Sequence, residues 1–145
     1  MQEEIDAIRA RLTVTPVSAE SLAGMLDAAL NGFEALHAGC RANEDRSAES
    51  FAAFAFAAAA AAAGSQVLLT APSLPPPMRG KATSYPTCVH SDLDSVADMF
   101  ADLAEVISSQ LSFAADYTQS PGDQAACADA AREAARIREL LDRSG

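Results

Sequence analysis

The stretch from Phe51 to Ala71 constrains this chain more than any other. It is apolar except for Ser65, Gln66 and Thr70, and most of it is alanine. Alanine has the highest helix propensity and too little bulk for the pleated face of a strand, so the run specifies helix. It is nearly long enough to cross a bilayer. Alanine, however, transfers to lipid far more weakly than Leu, Ile or Phe, which argues against a membrane span. The expectation is a buried, closely packed helix, with Phe51, Phe54 and Phe56 filling one end of the core.

Helix-start signals recur along the rest of the chain. Residues 2–13 place Glu3, Glu4 and Asp6 ahead of Arg9 and Arg11, the order a helix dipole prefers, and Pro16 ends that short element. Ser18 with Glu20 opens a helix to about Cys40–Asn43, and Ser47 repeats the letters Ser-Ala-Glu-Ser to open the alanine helix to about Leu69. Ser91 with Asp92 and Asp94 opens another to about Tyr117. Ser120-Pro121-Gly122-Asp123 opens the last, to about Asp142, with proline at its first position. Between Ala71 and His90 the pattern stops. Pro72, Pro75, Pro76, Pro77, Pro86 and Gly80 make a long irregular connection there, either a stiff crossover or a functional loop. No segment alternates as a strand does. The sequence therefore predicts an all-α fold in one domain, residues 1–145. Its form is an antiparallel four-helix bundle with a short extra N-terminal helix and one long Pro-rich connection.

Helical periodicity assigns the faces. Leu22, Met25, Leu26, Ala29, Phe33, Leu36 and Cys40 form one core stripe, and Cys127, Ala130, Ala134, Ile137 and Leu141 another, with Arg132, Glu133, Arg136, Glu139 and Arg143 outside. The helix opened by Ser91 carries two seams. Leu93, Ala97, Phe100, Ala104, Ile107 and Leu111 make the first. Val96, Met99, Leu103, Val106, Phe113 and Tyr117 make the second at heptad spacing, broken by Gln110. Two seams exceed what one surface helix needs, so either this helix is the most buried or the second seam is a homodimer interface. Its remaining face stacks Asp94, Asp98, Asp102 and Glu105, which reads as a solvated face or a dock for a protein with a basic surface.

The 145 residues carry a formal charge of −10 and one lysine, Lys81. That balance argues against nucleic acid or an anionic membrane as partner, since phosphates need Lys and Arg. The acidic start lacks the basic region of a signal peptide, so cytoplasmic residence is expected. Cys40, Cys88 and Cys127 are too few and too scattered for a disulfide framework.

Residues able to carry chemistry are few. His37-Ala-Gly-Cys40 and Cys88-Val-His90 could together close a tetrahedral site for zinc or another transition metal. The plainer reading is a core cysteine, a boundary histidine and an exposed loop. Glu34-Ala-Leu-His37 resembles the E-x-x-H with which ferritin-like bundles hold half of a di-iron site, but the alanine helix offers no facing carboxylate beyond Glu49. No glycine-flanked nucleophile follows a strand and no glycine loop cradles phosphate, so no catalytic residue is nominated. The leading expectation is a non-enzymatic helical interaction or ligand-binding protein that self-associates. The alternative is a metal-binding or redox-responsive bundle using His37, Cys40, Cys88 and His90, with no cofactor otherwise.

Overall fold

A computed structural model of the chain describes Ile5, Ile8 and residues 19–74 and 92–142. Among these residues there is no strand, and four long helices pack against one another. They are α1 (Ala19–Asn43), α2 (Phe51–Leu68), α3 (Leu93–Tyr117) and α4 (Pro121–Leu141), with a single 3-10 turn, Glu44–Arg46, between the first two. Of the N-terminal element, Ile5 and Ile8 are helical and buried; its other residues, Ser18 and most of the Pro-rich connection lie outside the described residues.

Three of the helix ends have a clear local cause. α1 stops where the buried side chain of Asn43 turns back, its amide donating to the Gly39 carbonyl at 2.7 Å while its oxygen accepts from Arg46 at 2.9 Å. That side chain competes with the backbone for the last helical carbonyls. α2 begins after Ser50 rather than Ser47; residues 48–50 form a turn, and no side chain caps the helix. Asp92 caps α3, accepting from the Ser95 amide at 3.3 Å. Ser120 caps α4, with Pro121 in the first turn where its missing N–H costs nothing.

The core follows the predicted stripes on α1 and α4: every residue named for them above is buried. α3 packs on both α4 and α1, and α2 packs on both α1 and α4. Phe33, Phe54 and Phe100 are the largest side chains fully enclosed. Each is worth about 1.5–3 kcal/mol of apolar burial. Glycines let them in: a β-carbon on Gly64 of α2 would sit 2.5 Å from the Phe33 ring, and one on Gly32 of α1 would sit 2.7 Å from Ile107. Helix backbones therefore approach closely wherever a large residue faces a glycine or alanine.

Two expectations are corrected here. Phe51 and Phe56 do not fill the core; they are 45% and 63% exposed, and only Phe54 is buried. Residues 54 and 56 differ by about 200° around a helix, so burying one points the other outward. Val96 and Leu103 are fully buried inside the chain, because α3 lies against two neighbours and encloses part of its second seam. They are not available to a second subunit.

Candidate docking surface

α2 is unlike the other helices in having no charged residue along its length. Its buried face is Phe54, Ala57, Ala58, Ala60, Ala61, Gly64 and Leu68, set against α1 and α4. What remains is mostly apolar: Phe51, Ala52, Phe56 and Ala59 are exposed, Ala55, Ala62 and Ala63 are half-buried, and Gln66 is an exposed polar residue on the same side. Among the described residues this is the one helix apolar and long enough to cross a membrane by length and composition, with 39% of it buried.

Next to that face, α2 and α4 enclose a groove of about 440 Å³. Phe56, Ala59, Ala60, Ala63 and Leu140 line its apolar floor and wall, and Glu133, Arg136 and Glu139 form its rim. Arg136 lies 3.6 Å from Glu133, so the rim holds both signs of charge in proximity. Sequence reasoning treated α2 as core and missed this surface. The available signal was the absence of charge all round the helix: a small domain cannot bury every face of a helix unless something outside it takes part.

The residues nominated from sequence are distributed unevenly. On α3, Met99 and Val106 are half-buried and pack onto the core, while Phe113 and Tyr117 are exposed. Those two rings stack on each other, centroids 6.1 Å apart and planes 15° from parallel. Asp94, Asp98, Asp102 and Glu105 are all exposed, and Glu105 lies 3.7 Å from Arg138 of α4. Exposed pairs of this kind contribute little to stability.

His37 and Cys40 part company: the histidine is exposed and the cysteine is fully buried. Burial, reinforced by the nearby charge of Glu44, pushes the Cys40 thiol up to about 12. Without a metal it is a protonated thiol enclosed in the core. Cys88 and His90 lie outside the described residues, and among the described residues no three His, Cys, Asp or Glu side chains gather as a metal site. Cys127, also buried, is pushed up to about 11 by burial and by Asp123.

Comparison with protein-family models, curated proteins and solved structures returns no match. The surface chemistry of the chain itself therefore carries the functional reading.

Proposed function

We propose that this protein is a non-enzymatic, self-associating helical module, an antiparallel four-helix bundle in one domain that acts by docking apolar helix surface. The observation that carries the reading is the outward face of α2, where Phe56 is 63% exposed on an 18-residue helix without a charge. A contiguous apolar surface on a soluble domain marks an interaction site.

The antiparallel arrangement is supported by the register of neighbouring helices. Along α1 the residues that meet α3 ascend from Gly32 to Gly39, while their partners descend from Ile107 to Phe100. Between α2 and α4, Pro72 just past the end of one lies near Gly122 at the start of the other, while Phe56 shares its groove with Leu140. On this reading every packed pair runs oppositely, and α3 begins at the end of the bundle opposite to the one where α2 stops.

The interface expected on α3 narrows to Met99, Val106, Phe113 and Tyr117, since Val96 and Leu103 are enclosed. Sedimentation equilibrium of the full chain across micromolar concentrations tests the reading. The expected result is a reversible mass increase with concentration. A monomer throughout that range would overturn self-association.

A further inference from the structure

We draw no further inference here: the strongest candidate, the apolar outward face of α2 and the groove it shares with α4 beside Phe56, carries nothing because nothing in the structure shows what covers it.

Discussion

Gly39 on α1 lies directly against the ring of Phe100 on α3, so closely that a β-carbon at position 39 would overlap Cζ of that ring. Phe100 is itself 1% exposed and has nowhere to retreat. In an open helix, Gly→Ala stabilises by about 1 kcal/mol. Here overpacking opposes it by about 1–3 kcal/mol. Gly39→Ala is therefore expected to lower stability. Gly24→Ala, with nothing within 4 Å of the new methyl group, is expected to raise it by up to about 1 kcal/mol. Urea unfolding at one fixed protein concentration compares them. Equal shifts of the same sign in the two variants would refute the close approach of α1 and α3.

Phe54 and Phe56 make a second contrast, since they share a helix turn and face opposite ways. Phe54→Ala removes a ring that is 1% exposed and is expected to cost about 3–5 kcal/mol. Phe56→Ala, studied at concentrations low enough to keep the chain dissociated, is expected to change stability by less than about 1 kcal/mol. Comparable losses in both would mean that Phe56 belongs to the core and not to a docking face.

Asp123 offers a third measurement. Its carboxylate is buried near the start of α4 and accepts from the Ser73 backbone amide at 2.9 Å and the Ser73 hydroxyl at 2.5 Å. These bonds tie the chain leaving α2 to the start of α4. Hydrogen bonds to a charged acceptor are worth about 1.5–3 kcal/mol, and Asp123→Ala strands both donors, so a loss in that range or above is expected. Asp123→Asn keeps an acceptor in place and is expected to cost less. Thermal unfolding that ranks Asn at or below Ala would show that the carboxylate is not the tie.

Much of the fold was legible because contrast was high. On α1, Leu22, Met25, Phe33 and Leu36 stand out from Asp27, Asn31, Glu34 and Arg41, and the predicted stripe is the buried one. The cap and proline at the start of α4 were equally plain. α2 gave no such contrast, because an alanine helix has the same side chain on every face and its neighbours choose which face is buried. Over its first thirteen residues the phenylalanines alone break the alanine, and their spacing forbids burial of both Phe54 and Phe56 on one face. The second seam of α3 was legible only in part. Heptad spacing identifies an apolar seam but not whether the neighbour is another helix of the same chain, and α1 and α4 between them cover Val96 and Leu103. The histidine–cysteine pair on α1 divides for a related reason: residues three apart share a side of a helix only within a broad arc, and the core boundary falls between His37 and Cys40.

The two buried thiols predict how stability responds to alkali. In the unfolded chain a cysteine ionises near 9.0, whereas burial and Glu44 push Cys40 up to about 12, and burial and Asp123 push Cys127 up to about 11. Both native values are raised, so below pH 9 the folded and unfolded states hold the same protons at these sites and the contribution is constant. Above pH 9 the unfolded chain releases protons that the native chain retains, and stability falls as pH rises toward 11 and then 12. Urea midpoints measured at successive alkaline pH values should decline more steeply in the wild type than in a Cys40→Ala, Cys127→Ala variant. Comparing slopes removes the tyrosine and lysine titrations common to both chains, whatever the variant loses in packing. The same burial predicts that a thiol reagent at pH 8 modifies neither cysteine until the protein is unfolded. Labelling of Cys40 in the folded protein, mapped by mass spectrometry, would contradict its enclosure and reopen a thiol chemistry for α1.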